Sequence, residues 1–219
     1  MDQTFSLVDG LAVSDLQVYL SRAGRVEDGS VRLVARGGVL AAYTAVLYPH
    51  GLLDRTPTVL GLRTFETAPD AEFDAVVPTR SLLDRLARAG DPAAIRLPLE
   101  VSTVTWAGIS PPRGGWSQVG GTTSAVLRRV ASEGVAEVAR AVPEGTGEQL
   151  VWRVRGSVWG APIEEVGDVP AGVAFAADSL GFLGPEFEPV PIFETGTWTR
   201  LSLRRGHVLV KRAAWSLRG

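Results

Sequence analysis

Apolar positions along the first hundred residues follow two periods. Leu16, Tyr19, Leu20 and Ala23 recur at i, i+3, i+4 and i+7, one face of a helix opened by Ser14 and closed by Gly24. Phe5, Leu7 and Val8 ahead of it predict a short strand. Val31, Leu33 and Ala35 alternate with Arg32, Val34 and Arg36, the period of a half-buried strand. Gly37-Gly38 supplies the positive φ angles of a two-residue hairpin turn, and Val39–Tyr48 returns as a longer strand. A loop over Pro49–Pro57 follows, then strands near Thr58–Glu66 and Glu72–Val77. Pro78-Thr79 starts a second helix with Leu82, Leu83, Leu86 and Ala87 along one side, and Ile95–Leu99 and Val101–Trp106 are expected as the last strands.

Two prolines and three glycines within Gly108–Gly115 then punctuate the chain. Beyond them, Leu127, Val130, Ala131, Val135, Val138 and Val142 keep helical spacing behind a Ser124 cap. Thr146 and Gln149 have the spacing of a capping box ahead of Leu150, Val151, Val154 and Val158. Asp168 and Pro170 open a third helix holding Phe175, Ala176 and Leu180; Gly181 closes it in a left-handed conformation, with Phe182 packing back. Val190–Glu194, Thr197–Leu203 and His207–Lys211 predict strands. The expected architecture is α+β: an N-terminal antiparallel sheet with two helices, then a C-terminal three-helix unit followed by antiparallel strands, a winged-helix-like order. The corresponding domains are 1–108, a Pro/Gly linker over 109–121, and a helical unit over 122–219 ending in a basic β-hairpin.

In the first half the order of strands and helices hints at a twofold repeat of a β-α-β-β-β unit. In outline it resembles one domain of a processivity clamp, through element order alone and no shared motif. The segments WAGISPPRGGWSQVG (Trp106–Gly120), FAADSLGFLGP (Phe175–Pro185) and GTWTRLSLRRGHVLVKR (Gly196–Arg212) resemble an uncharacterised protein family from actinobacteria. That resemblance implies a bacterial cytoplasmic origin and carries no activity or site residue with it.

Composition narrows the chemistry. Cysteine is absent from the 219 residues, which removes disulfides, thiol nucleophiles and cysteine-bound metal centres. His50 and His207 are too few for a histidine-rich metal site, and neither a cofactor nor a metal is expected. Met1-Asp2-Gln3-Thr4 is acidic where an export signal is basic. The longest apolar run, Gly38–Tyr48, is well short of the roughly 18–20 residues of a membrane helix. A soluble cytoplasmic protein is expected. The formal net charge of −2 conceals an asymmetry: residues 1–110 carry 10 basic and 13 acidic groups, residues 111–197 carry 6 and 11, and residues 198–219 carry 6 and none. Lys211 is the one lysine; the other 21 basic residues are arginine.

Gly115–Thr122 matches a phosphate-binding loop except that Gly121 stands where its lysine belongs, so a plain loop into a helix is expected. Gly108-Ile109-Ser110-Pro111-Pro112 breaks the nucleophile-elbow pattern at its last position. His50 with Asp54 has the residue types of a base–carboxylate pair, and Asp70, Glu72 and Asp74 share one face if extended; solvated loop and edge-strand decoration are the expected roles. The third helix, Pro170–Gly181, lacks arginine, lysine, asparagine and glutamine and carries Asp178, which argues against reading base edges through it. The candidate binding surface is the C-terminal hairpin: Arg200, Arg204, Arg205, His207, Lys211 and Arg212 with Trp198 and Trp215, joined by Arg113 and Trp116 of the linker. The expected function is a non-enzymatic cytoplasmic binding or regulatory protein working through protein–protein contacts, its partner an acidic protein or a second copy. Nucleic-acid contact through the hairpin without sequence specificity, and an enzyme with an interdomain carboxylate/arginine site, are the alternatives.

Overall fold

The computed structural model describes residues 3–27, 29–51, 53–89, 94–101, 104–143 and 145–211. Two units form, Met1–Ala45 with Leu62–Ser110, and Val46–Gly61 with Pro111–Gly219. The first holds β1 (Thr4–Ser6), α1 (Gly10–Val26), β2 (Ser30–Arg36), most of β3 (Val39–Leu47), the end of β4 (Thr58–Glu66), β5 (Phe73–Pro78), α2 (Thr79–Arg88) and β6 (Ala94–Arg96). Its sheet has the order β5-β2-β3-β4, and β1 pairs with β6 separately. α1 begins four residues before Ser14, because the Asp9 side chain accepts from the Ala12 amide at 2.8 Å and caps it there. Gly37 and Gly38, at φ of 59° and 78°, close the β2–β3 hairpin at Arg36↔Val39. That register puts Val31, Leu33 and Ala35 inside; α1 buries Leu16, Tyr19, Leu20 and Ala23, with the Tyr19 hydroxyl 2.8 Å from that of Thr44 on β3. Thr105–Gly108 is a 3-10 turn where a strand was expected, and the Val101 amide donates to Val76 at the outer edge of β5.

The second unit contains the start of β4, then β7 (Ser117–Thr123), α3 (Ser124–Ala141), α4 (Glu148–Gly160), α5 (Gly172–Ser179), β8 (Pro189–Thr195), β9 (Trp198–Leu203) and β10 (Gly206–Lys211). Its strand order is β4-β10-β9-β8-β7, antiparallel from β10 to β7. This corrects the winged-helix-like order. A strand precedes the helices: residues 117–121, which read as linker, belong to β7 and pair with β8. The last strands are members of a broad sheet, so no wing stands apart from the helices. α5 is mostly buried, with Gly172, Val173, Ala174, Ala176 and Ala177 inside, and the residue it exposes is Asp178.

Helix ends in this unit follow local hydrogen bonding. Thr123 caps α3 by accepting from the Val126 amide, which leaves Ser124 buried inside the first turn. The expected capping box of α4 is not made: Gly147 stands at the cap, and the Thr146 hydroxyl donates to the Pro143 carbonyl. α5 starts after Ala171 instead of at Asp168, and it closes as expected at Gly181. There φ is 73°, Gly181 N–H donates to Asp178, and Phe182 N–H reaches back to Ala177 at 2.8 Å. Trp159 fills the centre, 2% exposed, its ring stacked on Phe175 at 4.5 Å and lying against Gly134 of α3.

Candidate functional site

The expected hairpin surface is divided by the pleat of β9 and β10. Trp198 is 5% exposed, so its ring has no free face for stacking. Arg200 lies over Trp116 at 4.6 Å and over Phe193 at 4.7 Å, between two aromatic rings, and burial lowers its pKa. Trp116 donates its indole N–H to the Pro112 carbonyl, so the linker is tied down beside Arg200. His207 is opposite Ser202 in the register, with Nδ1 3.1 Å from the Ser202 hydroxyl. Trp116, Arg200 and the His207–Ser202 pair thus share one face. Arg204 and Arg205 form the exposed two-residue turn, Lys211 ends β10, and Arg113 is exposed on the linker. Arg212 and Trp215 lie outside the described residues.

Burial, and then the charge of Arg200, push the His207 pKa below 6.5. The unfolded chain therefore takes up this proton at a higher pH than the folded one. The stability His207 contributes is complete above about pH 6.5 and declines as the pH falls below it. The urea midpoint is expected to drop on acidification from about pH 7 to about pH 5, and to drop less in His207→Asn.

Carboxylates and the second histidine have local duties. Asp74 receives both arms of the Arg32 guanidinium at 2.8 and 2.6 Å, and Glu72 is 3.8 Å from Arg36. No group of three or more metal-ligating side chains occurs among the described residues. Asp54 accepts from the backbone amide of His50, while the His50 ring stacks on Trp152 at 3.9 Å. The base–carboxylate geometry is not formed.

A second set of cations comes together only in the fold. α1 carries Arg22 and Arg25, and α2 carries Arg80, Arg85 and Arg88. Half of the ten arginines in residues 1–110 are on these two helices, which hold two of its thirteen acidic residues, Asp15 and Asp84. Asp15 is ion-paired with Arg63 of β4. The helices pack on each other and bury their apolar stripes inward. Arg25, Arg80 and Arg88 are exposed and Arg22 half-buried, while Arg85 donates to the Arg96 carbonyl. Arg80 and Arg88 are eight residues apart, two turns along one side of α2.

Comparison with known proteins places this geometry. Residues 1–108 match a domain of unknown function (DUF8010), and residues 111–215 match another domain of unknown function (DUF8185). No curated protein matches the chain. The fold is that of DNA clamps. The DNA polymerase sliding clamp of Caulobacter crescentus is 14% identical, with a TM-score of 0.53 over 98% of this chain and 67% of that one. DNA polymerase III subunit beta of Borrelia burgdorferi is 8% identical, with a TM-score of 0.54 over 98% and 66%. The sliding clamp of Bartonella birtlesii is 13% identical, with a TM-score of 0.51 over 98% and 67%. The chain spans about two thirds of the length of these clamps.

An uncharacterised family, expected from the three sequence segments, is what the domain matches give. The processivity-clamp outline, seen in the first half by element order, extends along nearly the whole chain. The clamp fold corrects the functional expectation, which rested on a winged-helix-like order with a basic hairpin as its binding surface, while protein contacts or self-association stay consistent with it. The hairpin strands are inner members of the sheet, with Trp198 buried and Arg200 against the Trp116 and Phe193 rings, while Arg204 and Arg205 at the turn are exposed. Among the described residues no helix is long and apolar enough to cross a membrane.

Proposed function

We propose that this chain is a clamp-like DNA-tethering protein that meets duplex phosphates through α1 and α2 and associates with a second copy along β7. The observation that carries it is the clamp fold over 98% of the chain, combined with the gathering of arginines on the helix pair. Arginine suits the role because its planar guanidinium donates to phosphate oxygens in pairs and stays charged. The contact is non-specific in base sequence, since helix arginines that stop at phosphates carry no base information.

β7 supports the self-association. It is the last strand in the order, Ser117 to Gly121 are exposed, and Ser-Gln-Val-Gly-Gly-Thr-Thr carries neither charge nor proline. A bulge between Gln118 and Gly120 is its one visible protection against edge pairing. Sedimentation should find a species heavier than the 23.2 kDa chain, and Val119→Lys, at the exposed bulge, should return it to the monomer.

The direct test of the DNA role is fluorescence anisotropy of a labelled duplex at about 50 mM salt. Saturable binding that weakens steeply with added salt is expected. A duplex that stays free at low salt, whatever the protein concentration, ends the proposal.

A further inference from the structure

A cavity of about 820 Å³ opens in the second unit between residues 50–57 and α4. The helix turns a single stripe toward it: Gln149, Trp152, Arg153, Gly156, Ser157 and Gly160, spaced i, i+3, i+4, i+7, i+8 and i+11. The loop opposite is fixed from within. One Asp54 oxygen accepts from the His50 amide at 2.9 Å, and the other accepts from the Thr56 amide at 2.9 Å and its hydroxyl at 2.6 Å. Glycine on α4 lets this loop approach, because a Cβ on Gly156 would stand 2.6 Å from the Thr56 hydroxyl.

Two features of the lining point to one kind of ligand. The His50 ring stacks on Trp152 at 3.9 Å and lies 4.6 Å from the Tyr48 ring, which covers one face of the indole and fixes it as a wall of the cavity. Arg55 and Arg153 are exposed at the rim and make no ion pair among the described residues, and the one carboxylate in the lining, Asp54, is already engaged by its own loop. The volume is that of a small-molecule site.

We propose that this cavity binds a small phosphate ester bearing a flat ring, the ring lying at the Trp152 wall and the phosphate held by Arg55 and Arg153. The site is separate from the α1 and α2 arginines and does not depend on the DNA role.

Isothermal titration of the full chain with AMP, phenyl phosphate, adenosine and inorganic phosphate tests it. AMP or phenyl phosphate should bind at least about tenfold more tightly than adenosine or inorganic phosphate, because both the ring and the charge contribute. The stronger of the two esters identifies the ring as nucleobase or simple aryl. Arg55→Ala with Arg153→Ala should weaken the better ester by about tenfold or more, with an unchanged unfolding midpoint. Trp152→Phe, which keeps a ring against His50, should weaken it by less than Trp152→Ala. The proposal is overturned if neither ester binds at about 5 mM, a concentration matching about 3 kcal/mol of affinity. It is equally overturned if inorganic phosphate binds as well as the esters, or if the double arginine variant binds like the parent.

Discussion

Replacing Trp159 by alanine should remove about 3–5 kcal/mol from the stability of the second unit, the cost of emptying a fully buried aromatic site. Trp159 joins three helices: it belongs to α4, stacks on Phe175 of α5 and rests on Gly134 of α3. Gly134 supplies a sharper form of the same prediction. In the middle of an α-helix, glycine to alanine ordinarily stabilises by about 0.5–1 kcal/mol. Here the added methyl would stand 2.5 Å from Cη2 of Trp159, well inside contact distance. Gly134→Ala is therefore expected to destabilise by about 1–3 kcal/mol in the parent. In the Trp159→Ala background the clash is gone, and the same substitution should become stabilising. Denaturant unfolding of the four proteins in this cycle checks the change of sign.

Reversing the helix charges should have the largest effect on function. Four arginines of the α1–α2 pair, Arg22, Arg25, Arg80 and Arg88, carry the proposed phosphate contacts. If each neutralises one phosphate, the slope of log affinity against log salt is about −3.6, so raising salt from about 50 to about 200 mM weakens binding roughly a hundredfold. Changing all four to glutamate replaces attraction by repulsion and should cost at least about as much at fixed salt. Arg25 and Arg88 are in the last turns of their helices, where glutamate opposes the helix dipole, so a loss of stability of about 0.3–1 kcal/mol at each should accompany the change.

Elements whose signal is local were legible in the sequence. Gly37-Gly38, Pro78-Thr79 and Gly181 each impose a backbone conformation on their own neighbours, and each sits where the chain turns or a helix begins or ends. Asp9 was passed over for Ser14, since either residue type can cap and only the hydrogen bond to Ala12 distinguishes them. β7 was hidden for a different reason. An exposed edge strand has no buried face, hence no apolar alternation, and Ser-Gln-Val-Gly-Gly-Thr-Thr reads as linker. Nothing in the sequence names the neighbour of β10 either, because pairing between distant strands leaves no local mark; the winged-helix-like order followed from that gap.

Candidate sites were harder still. Along the linear chain the +6 tail stands out, yet its Trp198 and Arg200 are held by the sheet. The first half does not stand out, since its 10 basic groups are outnumbered by 13 acidic ones. Counting by element would have found the α1–α2 arginines, because the surplus of acid is in loops and strands and the helices carry five arginines against two aspartates. The α4 stripe facing the cavity was equally obscure. Its glycines look like poor helix formers until the loop that passes over them is known.

The salt dependence of duplex binding, measured for three proteins side by side, tests the central claim most directly. Neutral variants are the right probe: glutamine at Arg22, Arg25, Arg80 and Arg88 in one protein, and at Arg204 and Arg205 in another. The helix variant should lose most of the parent's slope, a change of about 3 to 4 in log–log units, and the hairpin variant should keep it. A parent slope that survives in the helix variant and disappears in the hairpin variant would contradict the account.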